Sequence, residues 1–151
     1  MSKYKQIKSV AHNFAHSFTS MMNWEERIYV MDRLISVMSK NGINEITLDI
    51  IHARLDPEIT NTEEIIVSVY HYCKTFFPRL LESHGLSSDY IKSAKMTLRF
   101  NFTDIKPQEG DSNTMFVPYK CQTAITDDKN RIHVGEVNDH EATHSKYIYA
   151  G

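Results

Sequence analysis

Apolar residues recur every three or four positions through the first half of the chain, which is the spacing of one face of an α-helix. This pattern predicts a first helix over about residues 5–22. Asn23 stands three residues before Glu26, so it can cap a second helix whose first turn carries a favourable negative charge. Asn41 and Gly42 provide the stop signal of that second helix.

The segment from Ile43 to Leu55 fits two patterns. Its first part, INEITL, alternates between apolar and polar residues like a short strand, whereas LDIIHARL has the spacing of a short helix capped by Thr47. We favour the helix. It must end before Pro57, because the residue that precedes a proline is pushed out of the helical region.

A third, longer helix is indicated by Thr60, which stands three residues before Glu63 as in a capping box. The apolar spacing continues on both sides of Pro78, so we expect the proline to kink this helix and Gly85 to end it. Ser87 then caps a short further helix. The first half of the chain is therefore predicted to contain four or five helices.

Beyond that point the period of the pattern changes from about four residues to two. The clearest strand of the chain alternates these apolar residues with polar ones: Met96, Leu98, Phe100 and Phe102. Residues 106–114 contain Pro, Gly and short polar side chains, which predict a surface loop. Two further alternating runs, over residues 117–125 and 132–137, flank the polar turn DDKNR and predict an antiparallel hairpin.

Together these elements predict an α+β fold in a single domain that spans residues 1–151. The N-terminal helices, about four or five with the third long helix kinked at Pro78, would pack on one face of a small C-terminal antiparallel three-stranded sheet. The covered face is the one that bears the apolar residues of the clearest strand. Residues 138–151 are mostly polar, so we interpret them as a C-terminal tail and a candidate for flexibility.

The composition is that of an ordinary globular protein. Hydrophobic residues make up 41% and charged residues 24%, and the net charge of -2 is spread over both signs, so nothing favours a nucleic acid as partner. The sequence has no apolar run long enough for a membrane span and no signal-peptide core at its N-terminus. We therefore expect a cytoplasmic protein without a membrane partner.

His140, Glu141 and His144 match HExxH, the pattern in which two imidazoles on one helical face bind zinc and the glutamate acts as general base. A catalytic zinc takes a third protein ligand, and residues 145–151 contain no His, Asp, Glu or Cys. The motif also lies in polar surroundings, whereas an active-site helix packs into a core that holds its ligands rigid. We therefore favour the polar tail over zinc binding here.

Two further histidine pairs lie on predicted helices. His12 and His16 are one turn apart, a spacing that can bind a metal ion, but they fall just beside the apolar stripe. We interpret them as half-buried and hydrogen-bonded to neighbours. His71 and His84 on the third helix would complete a cluster of four if that helix packs against the first.

The third helix carries more aromatic side chains than one face can bury: Tyr70, Tyr72, Phe76 and Phe77. Some of them must be buried on a second side or left for a partner, so these four form the candidate interface. Cys73 and Cys121 are predicted to be buried, reduced thiols. The sequence has no glycine-rich phosphate loop and no nucleophile elbow, and we predict no cofactor.

The favoured hypothesis is a non-enzymatic protein-binding module, such as an accessory, inhibitory or immunity-like protein. It rests on the lack of catalytic signals in the sequence and on the surplus aromatic residues of the third helix. Two alternatives stay open. One is a zinc-dependent hydrolase that uses His140, Glu141 and His144, and the other is a homodimeric structural protein that associates through the same aromatic surface.

Overall fold

A computed structural model describes residues 3–17, 24–52, 54–55, 64–108 and 111–145 of the chain. Within these ranges it contains three α-helices and six strands, which confirms the predicted α+β class. The elements are α1 (Lys3–Ser17), α2 (Trp24–Lys40), β1 (Glu45–Asp49), β2 (Arg54–Leu55), α3 (Glu64–Ser83), β3 (Ile91–Phe100), β4 (Lys106–Gln108), β5 (Asp111–Asp127) and β6 (Ile132–Ser145). Over the same ranges, no helix combines the length and the apolar character that crossing a membrane would require.

The strands form one antiparallel sheet whose main strands follow the order β1, β3, β5, β6. The short β2 extends the sheet beyond β1, and β4 pairs with the first part of β5. The β5–β6 hairpin is paired from Thr126 and Ile132 at its turn to Thr114 and Ser145 at its open end. A bulge beside Tyr119 shifts the register of this hairpin.

The core lies between one face of the sheet and the buried sides of the helices. The sheet contributes alternate residues of its main strands: Ile46, Leu48, Met96, Leu98, Phe100, Val117, Cys121 and Ile125. The helices contribute Ile7, Val10, Phe14, Leu34, Ile35, Met38, Ile66, Val69 and Phe77. Burial of Met96, Leu98 and Phe100 confirms the predicted covered face, whereas Phe102 lies beyond the end of β3 and is half-buried.

The opposite face of the sheet is polar over β1, β3 and β5. Arg99 Nη2 lies 2.8 Å from a carboxylate oxygen of Glu45, and Lys120 Nζ lies 3.0 Å from one of Glu136. Each of these pairs is solvent-accessible and contributes at most about 1 kcal/mol to stability. This face therefore needs no covering layer.

Two glycines end their helices as predicted. Gly42 after α2 and Gly85 after α3 have φ values of 68° and 66°, in the left-handed region that glycine adopts most readily. In both cases the next residue donates its N–H to the carbonyl five positions earlier: Ile43 to Met38 at 2.9 Å and Leu86 to Leu81 at 3.0 Å. These bonds satisfy carbonyls that a helix end leaves unpaired.

The helix favoured between Ile43 and Leu55 is wrong. The segment forms β1 and β2, and β1 pairs with β3 from Glu45 opposite Arg99 to Asp49 opposite Lys95. Pairing with a long neighbouring strand gives this segment more hydrogen bonds than one isolated helical turn could. The alternation of INEITL was the better guide.

Two other segments differ from their predictions. Ser87 is a cap, since its hydroxyl accepts the N–H of Asp89 at 3.2 Å, but it opens only a 3₁₀ turn over Ser88–Tyr90. The chain then enters β3 directly. The predicted loop over residues 106–114 instead holds β4 and the start of β5, so the sheet has more than the three strands expected.

Part of the predicted C-terminal tail forms strand. Residues 138–145 continue β6, and His140 to Ser145 pair with Tyr119 to Thr114 of β5. Pro78 lies inside α3, and its kink stays a prediction. The following predicted features lie outside the described residues: the end of the first helix at 18–22, Asn23, Pro57, Thr60, Glu63 and residues 146–151.

Candidate functional site

The four aromatic residues predicted as an interface on α3 have different surroundings. Phe77 is 3% exposed, and its ring centroid lies 5.1 Å from that of Phe14 on α1, so it belongs to the core. Tyr70, Tyr72 and Phe76 are half-buried and pack against the same core. The surplus of aromatic side chains is therefore largely absorbed by packing.

Tyr72 nevertheless reaches a cleft on the outer side of α3. The cleft has a volume of about 430 Å³ and is lined by Ser68, His71, Tyr72 and Thr75. These residues are three or four positions apart, so they share one side of the helix. Part of the predicted interface thus borders solvent.

Tyr29 on α2 is the most exposed aromatic residue near this cleft, with 60% of its surface accessible. Arg33, one turn further along α2, donates a hydrogen bond to the Tyr29 hydroxyl at 3.3 Å. A smaller cleft between α2 and α3 is lined by Tyr29, Arg33, Glu64, Ile65 and Ser68. Because Ser68 lines both clefts, they are neighbours on the surface.

We call this region the helical surface and define it by five residues: Tyr29, Arg33, Ser68, His71 and Tyr72. The sequence analysis missed Tyr29 and Arg33. The available signal was an aromatic residue that stands off the apolar stripe of α2, where an amphipathic helix carries polar side chains. An exposed aromatic at such a position favours contact with another molecule.

The HExxH residues lie in β6 and not on a helix. A strand rises about 3.3 Å per residue, so the Cα atoms of His140 and His144 are about 13 Å apart, compared with about 6 Å on a helix. The register places His140 opposite Tyr119 and His144 opposite Met115. This backbone does not form the helical arrangement on which the zinc hypothesis was based, and zinc binding itself stays untested.

The histidines of the helices do not form the cluster of four. His12 and His16 are exposed, not half-buried, with nearly parallel rings 6.2 Å apart. His84 lies 3.2 Å from the side-chain amide of Asn13, whereas His71 is roughly 20 Å further along α3 by helical rise. Among the described residues, no three His, Cys, Asp or Glu side chains are placed to hold a metal ion.

Both cysteines are buried and free, as predicted. Burial raises the pKa of Cys121 to about 12. The pKa of Cys73 is also raised, first by burial and then by the nearby Cys121. Both thiols stay protonated at neutral pH and are poor nucleophiles.

In the described part of the chain, the carboxylate of Asp127, at the end of β5, has the most hydrogen-bond and ion-pair partners. Its Oδ1 accepts the backbone N–H groups of Lys129 and Arg131 at 2.8 and 2.9 Å. Its Oδ2 accepts a hydrogen bond from His133 Nε2 at 2.9 Å and lies 3.3 Å from Arg131 Nε. Because its oxygens are already engaged within the turn, Asp127 serves the fold and is not available as a general base.

The hairpin turn is also tied to its surroundings. Asp128 donates its N–H to the Tyr90 carbonyl at 3.0 Å, and Lys92 donates to the Asn130 side chain at 2.7 Å. The Arg131 guanidinium lies 3.9 Å from the centre of the Tyr4 ring on α1. These contacts join the turn to the first helix and to the start of β3, which is a structural role.

A cleft of about 690 Å³ lies where β3 ends beside β5. Of the residues described there, none is an Asp, Glu, His or Cys, and its two cations are Arg99 and Lys120. Both cations are already paired with glutamates. This cleft therefore offers no acid–base pair for catalysis from the described residues.

Comparison with protein-family models, with curated proteins and with solved structures found no match for this chain.

Proposed function

We propose that this chain is a non-enzymatic protein-binding module whose partner docks on the helical surface. The observation that carries the proposal is the 60% exposure of Tyr29 beside the cleft between α2 and α3. Tyrosine and arginine are enriched among the residues that dominate binding energies, because they combine a large contact area with a polar group. Both types are present here within one turn of α2.

The shape of the helical surface suits a protein partner. A side chain of the partner would enter the cleft beside Tyr72, and a carboxylate of the partner would pair with Arg33. The hydrogen bond between Arg33 and Tyr29 holds both side chains in one arrangement, which reduces the entropy lost on binding. The proposed partner is thus a protein that presents an apolar side chain next to an acidic one.

Within this proposal the chain acts in the cytoplasm, without a cofactor, as an accessory, inhibitory or immunity-like protein. Among the described residues, no set of side chains is arranged for catalysis, which supports a binding protein over an enzyme. The zinc-dependent hydrolase remains the enzymatic alternative. It would require the strand that carries His140 and His144 to rearrange, or a zinc ion to be shared between distant ligands.

A homodimer is the second alternative, because the helical surface could also meet its own copy across a two-fold axis. It makes a different prediction about mass. A complex made only of this chain would have a mass that is a multiple of the chain's, whereas a complex with a different protein would not.

A photoreactive residue placed at Tyr29 tests the proposal in the cells that make the protein. We expect p-benzoylphenylalanine at this position to give one discrete adduct with a second protein after irradiation. The matched control carries the same residue at Lys95, an exposed position on the polar face of the sheet, and should give none. Absence of an adduct at position 29 contradicts the proposal, and an adduct of two identical chains supports the homodimer instead.

A further inference from the structure

The strand β6 lies at one edge of the sheet. Its inner edge pairs with β5, and no strand among the described residues pairs with its outer edge. Along an antiparallel edge, alternate residues direct their backbone N–H and C=O groups outward. The outer edge of residues 132–137 therefore offers a row of backbone donors and acceptors.

This edge lacks the usual protection against pairing. Exposed edge strands commonly carry lysine, proline or a bulge that prevents another strand from adding. Residues 132–137, with the sequence IHVGEV, contain neither lysine nor proline, their one acidic residue, Glu136, forms an ion pair with Lys120 of β5, and the bulge of the hairpin comes only beyond them. Ile132 and Val134 are 66% and 47% exposed, so the edge also presents apolar side chains.

A basic groove runs beside this edge. It has a volume of about 420 Å³ and is lined by Val134 of β6 together with Lys5, Lys8, Ser9, His12 and Asn13 of α1. Residues 3–17 of α1 contain three lysines, two histidines and no acidic residue. A segment that lies along β6 would meet these cationic side chains at once.

We infer that the outer edge of β6 binds an extended acidic segment of a partner protein by strand addition. The backbone of that segment pairs with residues 132–137. Its side chains alternate between the two faces, so carboxylates point to Lys8 and His12 while apolar side chains pack on Ile132 and Val134. The inference concerns a surface separate from the helical surface and stands without it.

The charge of α1 favours such a segment over a second copy of this chain. Antiparallel pairing of two β6 strands would bring two α1 helices together beside the same pair of strands. Their lysines would then repel each other, and like charges across an interface oppose association. An acidic segment meets the same lysines with attraction.

The test is an NMR titration of the full-length, isotope-labelled protein with a short peptide that alternates valine with glutamate. We expect saturable amide shifts in residues 132–137 and in α1. Replacing Lys8→Glu should weaken binding by about threefold to tenfold, as expected for a reversed charge at the rim of an interface. The matched control Lys95→Glu makes the same charge change away from β6 and should alter binding by less than about twofold.

Two further peptides separate strand addition from simple charge attraction. A peptide that alternates valine with lysine should not bind, and an acidic peptide with N-methyl groups on alternate amides should bind far more weakly, because it cannot pair with the edge. Equal binding of either peptide overturns the inference, as does an absence of shifts in residues 132–137. Shifts there that depend only on protein concentration would identify a second copy as the occupant and would also overturn it.

Discussion

At the scale of single residues, Asp127 has the clearest energetic role. Burial of this carboxyl raises its pKa. Hydrogen bonds from His133 and from the backbone N–H groups of Arg131 and Lys129, together with the positive charge of Arg131, lower the pKa by a larger amount, so that the net value is about 2. The ordinary value is 3.8. Because the folded-state pKa is depressed, ionised Asp127 stabilises the fold above about pH 4, and this contribution is lost as the pH falls towards 2.

We predict that Asp127→Asn destabilises the protein at neutral pH. The difference in free energy of unfolding between this variant and the wild type should become smaller as the pH falls from about 4 to about 2. The amide cannot accept all the donors that converge on the carboxylate. Urea unfolding at a series of pH values measures this gap. The neighbouring Asp128→Asn, at an exposed position with one long hydrogen bond of 3.4 Å to Tyr4, is the matched control and should differ little from wild type. A gap for Asp127→Asn that is constant with pH would contradict the assignment.

At the scale of elements, the packing of α1 on the β5–β6 hairpin depends on Gly135. A Cβ atom at this position would lie 2.0 Å from the Ala11 carbonyl oxygen, well inside van der Waals contact. The same carbonyl accepts the hydroxyl of Thr123 from β5, which is fully buried. The backbone of α1 thus lies in direct contact with the strands, and position 135 has room for glycine alone.

Gly135→Ala is therefore expected to cost about 3 kcal/mol of folding free energy, because helix and strand must move apart. Gly42→Ala serves as the control, since its added Cβ meets nothing within 4 Å and only the left-handed backbone is strained, at about 1 kcal/mol. Denaturant unfolding gives both values. Amide exchange in α1 should speed up in the first variant alone, and unchanged exchange there would argue against the close contact.

The sequence predicted the elements whose pattern is local. The stop signals at Gly42 and Gly85, the alternating residues of β3 and the hairpin around DDKNR are confirmed, because caps, turns and two-residue periods are set by neighbouring residues. The alternation of INEITL indicated β1, but we favoured a helix, because the partner strand β3 lies far away in the chain and local sequence does not reveal it. The start of β5 was missed because its polar residues do not alternate with apolar ones; this segment is extended through pairing of Asp111 with Gln108 of β4 and of Thr114 with Ser145 of β6.

Less of the candidate site than of the fold could be predicted from the sequence. The aromatic surplus of α3 pointed to a helix that borders a cleft, but Phe77 is a core residue that packs on Phe14. Tyr29 lines a cleft between α2 and α3. The position of this cleft depends on how the two helices pack, which cannot be predicted from the spacing of apolar residues within each helix. The HExxH string shows the converse: a sequence match assumes a helix, and the long partner strand β5 makes this segment extended.

At the scale of the whole described structure, the helices cover one face of the sheet and use most of the apolar residues there. The thiols are buried and protonated, the carboxylate of Asp127 is engaged in a turn, and the cleft at the end of β3 has its cations paired with glutamates. What remains distinctive is on the outside: the helical surface and the outer edge of β6. We therefore propose that this protein acts by binding other molecules at its surface.

Native mass spectrometry of the protein isolated gently from the cells that make it tests this assignment most directly, because one spectrum reports both bound protein and bound metal. The account predicts a complex with a second, different protein, no zinc, and release of the partner by Tyr29→Ser without loss of the folded chain. A single chain that carries one zinc ion, lost in a His140→Ala and His144→Ala variant, would contradict it.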